Sequence, residues 1–204
     1  PGVIGIQPRV IEFGIVPNKA DGSAALAERG PNIGVNWEDS AITPRLYVAE
    51  GEKPTSITEF TVDIDTAEDD EFVIGEKYNL QTPNGLTELT LVGTFTFADP
   101  DENALVGAKL VAMDTQSAVT LFNSGVGFDD ITLSIDQSFT ATEVVRDIED
   151  LLAEGLEVIS VDDLVEEQAD TFNAFINIFQ TILLVFAFVI LIVAAFIIYN
   201  VFSI

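Results

Sequence analysis

From Thr171 to Ile204 no side chain is ionisable except Tyr199, and from Thr181 the chain reads TILLVFAFVILIVAAFIIYNVFSI. About 20 apolar residues of helix cross the hydrocarbon core of a bilayer, and core helices of soluble proteins rarely sustain more than about 18 uncharged apolar residues in a row. Residues 179–204 are therefore expected to form a single transmembrane helix in contact with the lipid bilayer. A cleaved C-terminal anchor signal would instead need small residues at a processing site and a polar spacer. The lead-in here is acidic and helix-like, which fits that pattern poorly.

All the charge lies before this run. The 204 residues hold 34 Asp and Glu against 8 Lys and Arg, a formal net charge of −26. Such a surface repels phosphates, so nucleic acid is excluded as a partner, and anionic lipid headgroups are disfavoured as well. The carboxylates also suit high salt, where self-repulsion is screened. Cys and His are both absent. Thiolate and imidazole zinc sites, Ser-His-Asp triads and cysteine nucleophiles are thus unavailable, which argues against an enzyme. The chain starts at Pro1 without a charged n-region and apolar h-region. Both ends are expected to be internal cuts in a longer polypeptide.

Before the apolar run, Ser160-Val161-Asp162-Asp163 reads as a helix start, with Ser160 as cap and Asp163 near the positive end of the helix dipole. No Pro or Gly follows until Ile204, so one helix is expected from Val161 to the end. Its length exceeds the bilayer core of about 30 Å. Residues 161–178 are expected to form a stalk, with Leu164, Val165, Phe172 and Phe175 packing on a neighbour and Glu166, Glu167 and Asp170 facing water. Residues 142–154 read as an amphipathic helix, with Val144, Val145, Ile148, Leu151 and Leu152 on one face and Gly155 as its stop. A short strand is expected over residues 156–160.

The remainder reads as β. Apolar or β-branched runs between turn signals predict strands over residues 3–11, 45–49, 59–64, 77–81, 86–97, 108–113 and 130–135. Pro83-Asn84-Gly85 predicts a hairpin turn. Residues 14–37, rich in Gly, Ala, Asn and charge, read as loop or short helix. The fold class is α+β: a mixed, β-rich acidic domain over residues 1–160 with at least one amphipathic helix, then the stalk (161–178) and the transmembrane helix (179–204).

Two acidic clusters offer oxygen ligands for a hard cation: Asp99, Asp101, Glu102 and Asn103, and Asp65, Glu68, Asp69, Asp70 and Glu71. Neither has the spacing of a calcium loop, and with so many acids a solvated face is the simpler reading. No catalytic or metal-ligating set emerges. No GxxxxGK[ST] phosphate loop is present, so no cofactor is expected on this chain. Within the membrane run, Gln180, Ala187, Ala194, Ala195 and Asn200 are candidates for packing against another helix, with Asn177 and Tyr199 as further polar exceptions. Trp37 and the phenylalanines read as core.

Three stretches, in this order, resemble the FtsX-like and MacB-like permease subunits of ABC transporters, in their extracytoplasmic domain and the transmembrane helix that follows. The first runs from Phe60-Thr61-Val62-Asp63-Ile64-Asp65-Thr66-Ala67 through Phe72-Val73-Ile74-Gly75-Glu76-Lys77-Tyr78-Asn79-Leu80 to Leu89-Thr90-Leu91-Val92-Gly93-Thr94-Phe95, with Glu76 where the family commonly has Asp. The second is residues 111–122 followed by Asp130-Ile131-Thr132-Leu133, and the third is residues 179–204, with Asn200 and Ser203 at its end. The resemblance covers most of the chain after about Glu59. It implies location in the cell membrane, with the acidic domain on the extracytoplasmic side. It also implies dimerisation with a second permease subunit and coupling to a cytoplasmic ABC ATPase that carries ATP and Mg. The activity implied is export, or transmission of force across the membrane. A membrane-tethered binding or adhesion module without ATP coupling is the alternative, and a membrane-anchored enzyme a third.

Overall fold

The computed structural model describes residues 2–37, 46–97, 107–123, 127–153 and 155–202. They form two compact units, Pro1–Asp136 and Gln137–Ile204, and the class is mixed α+β.

The first unit is built on an eight-stranded sheet. Seven strands lie in the order β2 (Ile11–Phe13), β4 (Asn32–Trp37), β9 (Lys109–Asp114), β6 (Glu59–Asp63), β8 (Gly85–Phe97), β7 (Lys77–Thr82) and β3 (Val16–Pro17). The eighth, β5 (Leu46–Gly51), pairs antiparallel with the far half of β8. The β4–β9 and β6–β8 pairs are parallel. A separate two-stranded ribbon joins β1 (Val3–Arg9) to β10 (Asp130–Ile135), antiparallel. Two short helices, α1 (Ile64–Asp69) and α2 (Thr115–Leu121), follow β6 and β9 directly.

Strand β9 shows how the sequence builds this core. Residues alternate between faces along a strand, so Val111 and Met113 enter the larger apolar cluster with Phe60, Leu91 and Phe122. Leu110 and Ala112 point the other way, into a second cluster with Trp37, Leu46 and Phe95. A strand buried on both faces becomes a continuous apolar run, as Leu110-Val111-Ala112-Met113 is. Full burial of each of Phe60, Phe95 and Phe122 contributes about 1.5–3 kcal/mol. Tyr78 locks the α1 side of the core: its ring meets Phe72 edge-on at 4.8 Å, and its hydroxyl accepts the Val73 N–H at 2.9 Å.

Most expected strands are present within a residue or two, including the hairpin in which Pro83-Asn84 joins β7 to β8 with Thr82 opposite Gly85. Three expectations are corrected. Residues 14–37 are not loop or short helix, for they contain β3 and the interior strand β4. Two of the asparagines that give this stretch its loop-like composition, Asn32 and Asn36, are buried and occupied. The Asn32 amide donates to Ala25 O at 2.8 Å and its oxygen accepts the Ala27 N–H at 3.0 Å. Asn36 accepts the Val10 N–H at 2.8 Å and donates to Pro8 O and Thr115 Oγ1. Buried polar groups with partners of this kind carry little penalty.

The second correction concerns residues 3–11, one apolar run that serves two sheets: it breaks at Val10, with β1 pairing to β10 and β2 to β4. Thirdly, residues 156–160 form no strand.

In the second unit, α3 (Ala141–Glu149) begins in a capping box. Glu143 N–H donates to Thr140 Oγ1 at 3.3 Å while Thr140 N–H donates to the Glu143 carboxylate at 3.0 Å. The expected helix runs on to 154, but α3 stops at Glu149 and closes with tighter turns, Leu151 N–H to Ile148 O and Leu152 N–H to Glu149 O. Gly155 is therefore not its stop, and Leu151 is 82% exposed instead of lying on the apolar face that buries Val144. The last element, α4, spans Val161–Phe202, 42 residues.

Candidate functional site: the long helix and the acidic sheet domain

Helix α4 starts where its cap residues dictate. The Asp163 N–H donates to Ser160 Oγ at 3.1 Å, and the Ser160 hydroxyl donates to the Asp163 carboxylate at 2.7 Å. Asp162 and Asp163 occupy the first turn, where negative charge complements the helix dipole. At 1.5 Å per residue its 42 residues extend about 63 Å, twice the thickness of a hydrocarbon core. It is the one helix among the described residues long and apolar enough to cross a membrane, and its apolar window is unburied by the rest of the chain. Phe186, Ile190 and Leu191, at 61–67% exposure, leave no polar side to this part of the helix. A helix apolar all round needs an apolar medium or other helices around it, and this one is compatible with a membrane anchor. The stalk residues Leu164, Val165, Phe172 and Phe175 are exposed within the chain, as are Glu166 and Glu167. The Asp170 side chain lies outside the described residues.

The helix separates the packing candidates. Advancing about 100° per residue, Gln180, Ala187 and Ala194 fall within about 40° of one another, all exposed. Ala195 sits about 100° round from Ala194, and Asn200 faces the far side from Gln180, judged by helix position alone because its side chain lies outside the described residues. Asn173 and Asn177 extend the Gln180 stripe toward the stalk. Asn173 lies before the apolar run from which the other candidates were drawn. The Asn177 carbonyl also accepts the Thr181 hydroxyl at 2.8 Å, so Thr181 hides its hydroxyl within the helix.

In the sheet domain, the carboxylates sort into structural and free ones. Asp63, at the end of β6, is buried and caps α1. It accepts from Thr66 N at 2.9 Å, Thr66 Oγ1 at 2.5 Å and, across to β9, Leu110 N at 2.8 Å. Burial pushes its pKa up, and the three hydrogen bonds and nearby Asp65 modify that rise without reversing it. Asp70, the residue after α1, forms a buried ion pair with Lys109 and lies 3.6 Å from the Lys19 ammonium. Together Asp63 and Asp70 tie α1 to β9. Sequence reading had grouped Asp70 with Asp65, Glu68, Asp69 and Glu71 as a solvated cluster, and could not have found Lys109 as its partner 39 residues on.

Among the described residues no three carboxylates converge closely enough to hold a metal ion. The cluster Asp99, Asp101, Glu102 and Asn103 lies outside the described residues. No family model matches this chain, and no curated protein matches it.

Proposed function

We propose that this chain is the extracytoplasmic domain and following transmembrane helix of an ABC-transporter permease subunit, anchored in the cell membrane with its acidic domain outside. It dimerises with a second permease subunit and couples ATP hydrolysis, by a cytoplasmic ABC ATPase carrying ATP and Mg, to export or to force transmission. The chain itself is not an enzyme in this reading.

One observation carries the proposal: α4 runs without Pro or Gly from its acidic start at Val161 through the whole apolar segment. A helix of this length with no break transmits an axial shift or tilt along its full extent, because every peptide in it is bonded to the next turn. A simple tether needs no such continuity. The stripe of Asn173, Asn177, Gln180, Ala187 and Ala194 adds a face suited to close contact with a neighbouring helix, small residues admitting the backbone and amides bonding across it. The order of the three family-like stretches supplies the rest of the support.

The test is purification of the tagged full-length gene product from native membranes in mild detergent. An ATP-binding subunit that copurifies, with ATPase activity, is the expected result. Recovery of the protein without any such subunit would leave the tethered binding module as the better reading.

A further inference from the structure

The tip of the β7–β8 hairpin holds the one Asn-Gly bond of the sequence, Asn84-Gly85, and both residues are exposed. Gly85 has a φ of +108°, and the space where a Cβ would stand is open, with nothing within 4 Å. Asn84 also reaches beyond its own hairpin. Its side-chain amide donates to Thr120 O, in the last turn of α2, at 3.0 Å. Beside that link, Ala118 and Phe122 are fully buried in the larger apolar cluster. Asn84 therefore ties the hairpin to a helix end on which core packing depends.

An asparagine followed by glycine carries a reaction in its own covalent structure. The Gly85 nitrogen, on losing its proton to water, attacks Asn84 Cγ; a Cγ–N bond forms, the Cγ–Nδ2 bond breaks, and ammonia leaves a succinimide ring. A side chain on the following residue hinders that closure, and glycine has none. Water then opens the ring. Cleavage at Cγ leaves aspartate, whereas cleavage at the main-chain carbonyl leaves isoaspartate, with the chain running through Cγ. One water enters and one ammonia departs, with no oxidation or reduction. The other asparagines of the sheet lack this arrangement: Asn32 and Asn36 are buried and precede Ile33 and Trp37, and Asn79, though exposed, lies within β7 and precedes the fully buried Leu80.

We propose that Asn84 is a site of spontaneous deamidation, and that its conversion releases the end of α2 from the β7–β8 hairpin. The product carboxylate has no proton to donate, so the Thr120 carbonyl faces a second acceptor in place of a donor. The new negative charge also stands at the C-terminal end of a helix, where cations are favoured and anions are not. Isoaspartate further adds a methylene to the main chain within the two-residue loop that sets the β7–β8 register. The inference does not use the permease reading and stands or falls separately from it.

The test is ageing of the full chain in phosphatidylcholine nanodiscs at mildly alkaline pH, in water labelled with heavy oxygen, followed by tryptic digestion in ordinary water. Lys77 and Lys109 bound a peptide that carries both Asn79 and Asn84, so each spectrum contains its own control. Electron-transfer fragmentation locates the conversion and separates isoaspartate from aspartate. The expected result is loss of the Asn84 amide with uptake of one heavy oxygen, isoaspartate exceeding aspartate, while Asn79 stays intact. Urea unfolding read by Trp37 fluorescence should lose stability as conversion proceeds. The product mimic Asn84→Asp should by itself lower the midpoint by about 0.5 M, the scale of one exposed hydrogen bond and one charge at a helix end. Deamidation at Asn84 is overturned if Asn84 stays intact, if Asn79 converts as fast, or if aspartate forms without isoaspartate. Release of α2 is overturned if Asn84→Asp unfolds at the wild-type midpoint.

Discussion

Gly93 is the position where the smallest possible change should do the most damage. It lies on β8 opposite Gly51 of β5 on one side and Thr61 of β6 on the other; the β6 pairing shifts register just before it, between Phe60 and Thr61, and the β5 pairing just beyond it, between Val48 and Glu50. A methyl group there would stand 2.4 Å from Glu52 O, 2.6 Å from Glu50 O and 2.8 Å from Glu52 N, all backbone atoms. No side-chain rotation relieves these overlaps, so the end of β5 must withdraw by roughly an ångström. That withdrawal breaks the Glu52 N–H to Val92 O hydrogen bond, now 3.0 Å. Overpacking costs about 1–3 kcal/mol and the lost bond about 1 kcal/mol more, so Gly93→Ala should destabilise the sheet domain by about 2–4 kcal/mol. Trp37 makes the assay selective. It is the sole tryptophan and is buried in this unit against Phe95, so urea unfolding followed by its fluorescence reads the sheet and not α4. With a urea slope of about 2 kcal/mol/M, mid-range for small domains, the midpoint should fall by about 1–2 M. Gly75→Ala is the control: a methyl there meets nothing within 4 Å, and its cost is confined to the strained φ of +93°, about 1 kcal/mol. If Gly93→Ala leaves the midpoint where it was, or costs no more than Gly75→Ala, the close approach of β5 to β8 is wrong.

Phe60→Ala empties the centre of the larger apolar cluster and should cost about 3–5 kcal/mol in the same Trp37-monitored unfolding. Leu191→Arg places a charge in the middle of the apolar run, where insertion scales assign about 2.5–3.5 kcal/mol, and should shift the protein from the carbonate-resistant membrane fraction toward the soluble one. Two carboxylates predict opposite pH behaviour. Hydrogen bonds from Thr55 hold Glu59 below its ordinary pKa, so its stabilisation is present above about 4.5 and lost as pH falls through its lowered value. The midpoint advantage of wild type over Glu59→Gln should therefore be present at pH 7 and shrink on acidification. Asp63 is raised by burial, so its contribution is present below the ordinary aspartate value and lost as pH rises through the raised one. The midpoint difference between Asp63→Asn and wild type should accordingly move in favour of the variant as pH rises from 4 to 7.

What the sequence made legible follows from the range of the forces involved. The α4 helix, the β7–β8 hairpin and the start of α3 are specified by neighbours in the chain: an unbroken apolar run, two alternating runs around Pro83-Asn84, and the Thr140–Glu143 reciprocal cap. The interior strand β4 was hidden because its stabilising partners are distant. Asn36 looks like a turn residue until Pro8, Val10 and Thr115 are brought around it. Helices α1 and α2 are only 6 and 7 residues long, too short for a periodic signal. Each begins with the same local device, an aspartate accepting the backbone N–H three residues on, Asp63 from Thr66 and Asp114 from Ser117, and a search for that spacing after an apolar run would have found both.

The charge illustrates the same limit more sharply. Thirty-four acids in one sequence look interchangeable, yet the fold separates them by what lies within a few ångströms. Asp63 and Asp70 are drawn inward by Leu110 N–H and Lys109 and hold α1 on the sheet. Glu68 and Glu71, on the same short segment, are exposed and have no ion pair among the described residues. Only Glu68 of these four lies within α1; Asp63 and Asp70 flank it as its caps, and it is the end positions, next to β9, that meet partners. The two groups should then respond differently to removal. Loss of the inner carboxylates should lower stability, whereas neutralising the outer ones should leave stability within about 0.5 kcal/mol, as at ordinary surface positions.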